Sequence, residues 1–328
     1  MSFAKSIIFG PVSSRRFGIS LGVDLSLELK QCNFDCLYCE LEKSKPSLKQ
    51  KSSTSVTEII QEIEKSLQKL KDENKKIDVL TFTANGEPTL YPYLEDLIKS
   101  VNNMKNKFDF ETLILSNGST IGESKMRKIL LNFDQVKLSL DTANSKTFKK
   151  IDRPIDPLSL DEIKNGILEF SKQFDKKLFL ETLFVKTLND SIEEVEELNK
   201  FFLKVQKNSK NLMIHIGTID RPPAYRVEKV SQKEMLDIFL KFNSKLPILL
   251  TSKENKKNYQ LKKDFSTDEI LNTLKKRPLT KNDILSLFSD ESVFKLKELQ
   301  KNGKINILKN GDEQFYTVKK SDKEQNNG

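Results

Sequence analysis

Ile19-Ser20-Leu21-Gly22-Val23-Asp24-Leu25 alternates apolar with small or polar residues in the period of a strand, and it leads into Gln31-Cys32-Asn33-Phe34-Asp35-Cys36-Leu37-Tyr38-Cys39-Glu40. Downstream, Val56, Ile59, Ile60, Ile63, Leu67 and Leu70 recur at spacings of three and four, which predicts a helix capped by Ser53 or Thr54. Strand, loop and helix in that order make the first βα unit. The same alternation continues, with strands expected over 77–83, 112–115, 136–140, 178–185 and 212–216. Helices are expected over 93–104, 123–131, 160–174 and 192–205. Short apolar runs alternating with amphipathic ones read as an α/β fold built on a parallel sheet with crossover helices.

Cys32, Cys36 and Cys39 are the only cysteines. Three thiolates can hold three corners of a [4Fe–4S] cube and leave the fourth iron open to a non-protein ligand. A structural zinc site wants four ligands, and the only histidine, His215, is distant in sequence. A redox pair at Cys36 and Cys39 would leave Cys32 without a role.

At this spacing, with Tyr38 just before the last cysteine, the loop resembles the signature of the radical S-adenosylmethionine (radical SAM) enzymes. The resemblance implies a [4Fe–4S] cluster on Cys32, Cys36 and Cys39, with S-adenosylmethionine (SAM) chelated to the open iron and Tyr38 beside the adenine. It implies a partial (β/α)6 barrel and an electron donor such as flavodoxin or ferredoxin. Asn85-Gly86-Glu87, after the second strand, is similar to the segment that binds the SAM ammonium in that superfamily. Ser116 and Asn117 suit ribose hydroxyls, and Ser139 and Asp141 resemble the fourth-strand positions that meet the SAM ribose or carboxylate. In α/β barrels such groups gather at the C-terminal ends of strands, where these residues fall. Taken singly, each is also an ordinary turn or cap residue.

Around this set lie candidates for substrate contact. Arg15, Arg16, Arg153 and Arg221 can each make paired hydrogen bonds to phosphate or carboxylate, or serve as surface ion-pair partners. His215 sits in the apolar run Leu212-Met213-Ile214-His215-Ile216, either as a bonded core residue or as a working group. Glu181 and Thr182 alternate in the fifth expected strand, so only one faces the barrel interior. The 9–18 segment, Gly22-Val23-Asp24, Gly86-Glu87-Pro88-Thr89-Leu90 and Arg221-Pro222-Pro223 look like a subgroup related to the tRNA wyosine-base synthases. Those enzymes carry a second cluster on further cysteines, and this chain has none left.

The chain's 328 residues, 37% of them hydrophobic, suit one large domain and a small one. Residues 1–250 are expected to form the barrel domain, with an N-terminal extension over 1–17 and the cluster loop over 28–42. A linker is expected over 251–265, a winged-helix-like domain over 266–320 and a disordered tail over 321–328. In the small domain, helices are expected over 266–275, 280–288 and 292–302, with caps at Ser266 or Thr267 and at Thr280. A hairpin over 305–308 and 314–318 would turn at Asn310-Gly311. Such modules bind nucleic acid, contact proteins or cover substrates; here Lys295, Lys297, Lys301 and Lys304 could meet phosphates.

The formal net charge of +9 favours acidic partners, RNA among them, although lysine-rich solvated helices give the same balance. Nothing in the sequence reads as a membrane span or signal peptide, so a cytoplasmic protein without a membrane partner is expected. Three functions remain open: radical modification of a tRNA base, radical activation of a protein or peptide, and a non-catalytic iron–sulfur sensor that binds nucleic acid.

Overall fold

The computed structural model describes residues 7–14, 16–26, 30–41, 43–48, 54–251, 264–276, 279–281, 284–285, 288–310 and 313–319. The expected linker and tail therefore lie almost wholly outside the described residues, as do Arg15 and Ser53.

Eight strands form one sheet in sequence order: β1 (Ile8–Ser14), β2 (Gly18–Asp24), β3 (Val79–Thr83), β4 (Glu111–Ser116), β5 (Gln135–Ser139), β6 (Lys177–Phe184), β7 (Leu212–Thr218) and β8 (Ile248–Leu250). β1 is antiparallel to β2, and every later pair is parallel. From β2 onward each strand pairs with the next in sequence, so right-handed crossovers put all the connecting helices on one face. Those helices are α1 (Val56–Asp72), α2 (Leu94–Met104), α3 (Ser124–Leu130), α4 (Ser145–Ile151), α5 (Leu160–Gln173), α6 (Ile192–Asn208) and α7 (Gln232–Lys241). β1 and β8 end the sheet without pairing to each other among the described residues.

The helix-facing side is the apolar core. On α1, Ile59, Ile63, Leu67 and Leu70 are buried, each core side chain contributing about 1.5–3 kcal/mol. Ser55 caps α1 by accepting from the Glu58 N–H, one or two residues beyond the expected caps, because its backbone is extended and its hydroxyl reaches N3. The other side of β5, β6 and β7 is polar. Cross-strand pairing of Ser139 with Glu181 and of Glu181 with His215 puts those residues, and Lys137, on one face. Glu181 is thus the member of its pair that looks inward, and Thr182 packs away, donating to the Leu140 carbonyl at 2.7 Å.

Two strands of this sheet and two of its helices went unread in the sequence. β1 contains Gly10-Pro11, which looks like a break, yet proline is tolerated at an edge strand and the pairing shifts register between Phe9 and Val12. β8 has three residues, α4 seven, and α7 lies beyond the last expected helix.

The C-terminal part holds α8 (Thr267–Lys276), β9 (Leu279–Thr280), α9 (Asp290–Lys301), β10 (Ile305–Asn310) and β11 (Glu313–Val318), the strands ordered β10-β11-β9. The hairpin is in register from Ile305 opposite Val318 to Asn310 opposite Glu313. Ser266 caps α8 reciprocally with Glu269. Thr280 pairs with Phe315 in a third strand, and Lys281 directly after it is helical, as are residues 284–285; Ser289 caps α9, which begins two residues upstream of the expected start.

Candidate functional site

The cysteine loop follows β2 and is held along its length by backbone bonds. Gln31 N–H donates to the Asn85 carbonyl at 2.8 Å and its own carbonyl accepts from Glu87 N–H at 2.8 Å. Gly86 makes this possible. Its φ is +142°, and a Cβ there would stand 1.9 Å from the Gln31 oxygen. Further along, Asp35 N–H and Leu37 N–H donate to the carbonyls of Asp152 and Ile151 at the end of α4, and Asn33 accepts from Ile155 N–H. Cys32 accepts from Ser47 N–H, and Cys39 accepts from Ala224 N–H in the loop after β7, both at 2.8 Å. Segments beyond β3, β5 and β7 thus converge on the three cysteines.

All three thiols are half-buried. Cys32 Sγ accepts from Phe34 N–H at 3.4 Å and faces Asn117 Nδ2 at 3.6 Å, and Cys39 Sγ faces Lys30 Nζ at 3.5 Å. Burial pushes the Cys32 thiol up to about 12, with Glu87 adding to it, and pushes Cys36 well above its ordinary value, with Asp152 adding. Both are thiols until a metal takes the sulfur, so loading releases protons. N–H donors aimed at soft sulfur fit a thiolate-ligated iron–sulfur group. Among the described residues, no three His, Cys, Asp or Glu side chains are placed to hold a single metal ion. A cube takes one thiolate per iron and needs no such convergence.

The strand-end residues expected around SAM gather beside this loop. Glu87 is 1% exposed, and its carboxylate accepts from Thr89 N–H and Oγ1, Ser116 Oγ and Asn117 N–H at 2.6–2.9 Å. The carboxylate is turned inward and ties the end of β4 to the turn after β3. Burial raises its pKa against the pull of those donors. Asn117 bonds Asn33 Oδ1 at 3.0 Å, and Asn33 in turn donates to Ser119 Oγ at 2.7 Å. Tyr38 donates to Asp141 and lies 3.3 Å from Asp152 Oδ1. Burial lifts Asp141 to about 6 and Asp152 well above the carboxylate range, the latter also by the Asp141 charge. Tyr38, Asn117, Ser139, Asp141 and Asp152 line one narrow crevice with Phe34, Phe148, Leu160 and Ile163.

Of the arginines expected to meet an anion, Arg16, Arg153 and Arg221 are described, and each is engaged with a carboxylate. Arg153 pairs with Asp35 at 3.0 Å and stacks over the Tyr225 ring, whose hydroxyl also donates to Asp35 at 2.6 Å. Arg221 pairs with Glu40 at 2.6 Å. These two are clamps on the cysteine loop. Arg16 reaches from the β1–β2 turn to Glu181, which also binds Lys137. His215 lies 2% exposed against Phe17 and Phe179, and its Nδ1 has no hydrogen-bond partner among the described residues. Burial, with Arg16 and Lys137 nearby, lowers it to about 3, so the imidazole is neutral. Sequence reading singled out none of Lys30, Asn33, Asp35, Lys137, Asp152 and Tyr225. Only Asn33 and Asp35, inside the cysteine motif, and Lys30 beside it carried a positional signal.

The radical SAM superfamily profile matches residues 29–202, which takes in the cysteine loop and the strand ends through β6. The chain belongs to the radical SAM superfamily. Members of this superfamily use a [4Fe–4S] cluster and SAM. A UPF0026 protein of Helicobacter pylori strain J99 is 40% identical over 313 residues, covering 94% of this chain and 97% of that one. A radical SAM methyltransferase from Sphaerobacter thermophilus shares the fold at a TM-score of 0.54 and 13% identity, over 71% of this chain and 65% of that one. Streptococcus suis SuiB, crystallised with SAM, does so at 0.50 and 16% identity, over 74% of this radical SAM chain and 51% of that one.

Proposed function

We propose that the chain is a radical SAM enzyme in which Cys32, Cys36 and Cys39 each ligate one iron of a [4Fe–4S] cluster, leaving the fourth iron for SAM. The observation that carries this reading is the seat of the cysteine loop: the only three cysteines lie where the β3, β5 and β7 ends converge. When bound and reduced by one electron, the cluster supplies the cleavage of SAM to methionine and a 5′-deoxyadenosyl radical, which abstracts hydrogen from a substrate.

The protein's own residues bind and orient. Close to the loop, Tyr38, Asn117, Ser139 and Asp141 bring polar groups together with the apolar side chains of Phe34, Phe148, Leu160 and Ile163 around a crevice of about 40 Å³, a mixed lining at the edge of the cluster seat. Asn85 and Gly86 hold the loop through backbone. Glu87 is a positioning residue that fixes Ser116 and Asn117. His215, Glu181 and Lys137 lie on the sheet face opposite the helices, where substrate would approach.

The reading extends to a tRNA base as substrate and to a cytoplasmic protein. The likeness to the wyosine-base synthase subgroup supports it, with a different reaction because no second set of cysteines exists. So does the C-terminal part, read as a winged-helix-like domain over 266–320 separate from the barrel domain of 1–250. On α9, Phe294 is 64% exposed, with exposed Lys297 and Lys301 three and seven residues on, on the same side of the helix. An aromatic between cations suits stacking on an unpaired base beside phosphates. The test is bulk tRNA added to reconstituted enzyme with SAM and a reductant. A mass change in one nucleoside, with tRNA stimulating 5′-deoxyadenosine formation, is the expected result. Stimulation by a peptide fraction and not by tRNA would overturn the tRNA reading and favour a peptide substrate.

A further inference from the structure

Lys30 stands immediately before the cysteine loop and returns to it, with Nζ 3.5 Å from Cys39 Sγ. The neighbouring charges are otherwise matched in pairs: Glu40 with Arg221, and Asp35 with Arg153. Among the described residues Lys30 forms no ion pair with a carboxylate; its partner is a sulfur. On Cys32, by contrast, the donors are neutral, the Phe34 N–H and the Asn117 amide. One full positive charge therefore sits at one corner of the cysteine triad.

A cube held by thiolates gains a further negative charge when it takes an electron. A fixed cation beside a ligating sulfur stabilises the reduced form more than the oxidised one, and the potential rises. We propose that Lys30 sets the reduction potential of the cluster from its place beside Cys39. This rests on the reading that Cys32, Cys36 and Cys39 hold that cluster. The electron comes from a one-electron reductant, a low-potential flavoprotein or ferredoxin in the cell and dithionite in the assay, and no proton moves. Lys30 is a positioning residue here, acting through Cys39. Asn117 and Phe34 act in the same direction on Cys32 through dipoles, hence more weakly.

The test uses the full chain, anaerobically reconstituted, in a dithionite redox titration followed by the electron paramagnetic resonance of the reduced cluster. Wild type is compared with Lys30→Met, Lys30→Gln and Lys30→Arg at equal iron content. At the potential where wild type is half reduced, the two uncharged variants are expected to show about a tenfold lower ratio of reduced to oxidised cluster. That is about 59 mV for a one-electron couple. Lys30→Arg is expected within about twofold of wild type, since it restores the charge at the same corner. An unchanged potential in Lys30→Met, or a shift in Lys30→Arg equal to that in Lys30→Met, overturns the inference. So does loss of iron from both uncharged variants while Lys30→Arg keeps it, which would assign Lys30 to assembly. Wild type without any [4Fe–4S] signal would instead overturn the functional reading beneath it.

Discussion

The backbone of Gly86 passes so close to that of Gln31 that a Cβ on Gly86 would lie 1.9 Å from the Gln31 carbonyl oxygen. The contact fastens the start of the cysteine loop to the turn after β3 through two hydrogen bonds, and it leaves no room for a side chain.

Gly86→Ala is therefore expected to unseat the loop. The positive φ alone costs an alanine about 1–3 kcal/mol, and the overlap with a backbone atom adds to it. Iron content after reconstitution and the thermal midpoint should both fall. Wild-type iron content in this variant would mean that the loop is held elsewhere.

The inward-facing polar cluster predicts a pH dependence of stability. Burial is the main cause of the low His215 pKa of about 3, and Arg16 and Lys137 add to it while Glu181 opposes it. An unfolded histidine titrates near 6.5, so the unfolded chain binds more protons between about pH 3 and 6.5, and stability falls as pH drops through that range. Glu181 works in the same direction at lower pH. Burial disfavours its charge, but Lys137 and Arg16 prevail and hold it at about 2, so its contribution is lost below about pH 4.3. Because His215 is the only histidine, one imidazole resonance reports the first effect. It should remain neutral at pH 5; a midpoint near 6.5 would contradict the buried placement.

Tyr225→Phe removes the hydroxyl that bonds Asp35 inside the cysteine motif while keeping the ring between Arg153 and Lys43. The expected cost is about 1 kcal/mol in stability. Iron should be lost faster on exposure to a chelator, because this bond ties the loop after β7 to the cluster loop. Arg221→Ala breaks an exposed pair and should change stability by less than about 1 kcal/mol. Equal chelation rates in wild type and Tyr225→Phe would show the clamp to be idle.

On the C-terminal part, Lys297→Ala with Lys301→Ala should weaken tRNA binding and reduce the salt slope of log Kd by about two, one per phosphate contact. Phe294→Ala should lower affinity by about 1–3 kcal/mol with little change in slope, as loss of base stacking requires. Binding that ignores all three changes would remove α9 from the interface.

Much of this architecture can be read from the sequence because apolar spacing reports which face an element buries. Ile59, Ile63, Leu67 and Leu70 mark α1, and the six βα strands announce themselves by short apolar runs. The cysteine triad is likewise legible, since all three residues lie within one loop. What escapes is pairing across the fold. Nothing local says that Glu87 turns toward Ser116 and Asn117, that Arg153 meets Asp35, or that Arg221 meets Glu40; each partner arrives from another strand end. Nor does spacing disclose that Gly86 touches Gln31 backbone to backbone. The short strand β9 is hidden for a related reason: Thr280 stands before a helical run, and its strand partner Phe315 is 35 residues downstream.

The most direct test of the account measures 5′-deoxyadenosine formed from SAM by anaerobically reconstituted, dithionite-reduced protein, wild type beside Cys36→Ala, with bulk tRNA present. The account predicts product from wild type and none above background from Cys36→Ala, whose cube would lack one of its three thiolates. A reducible cluster in wild type that neither binds nor cleaves SAM would contradict it.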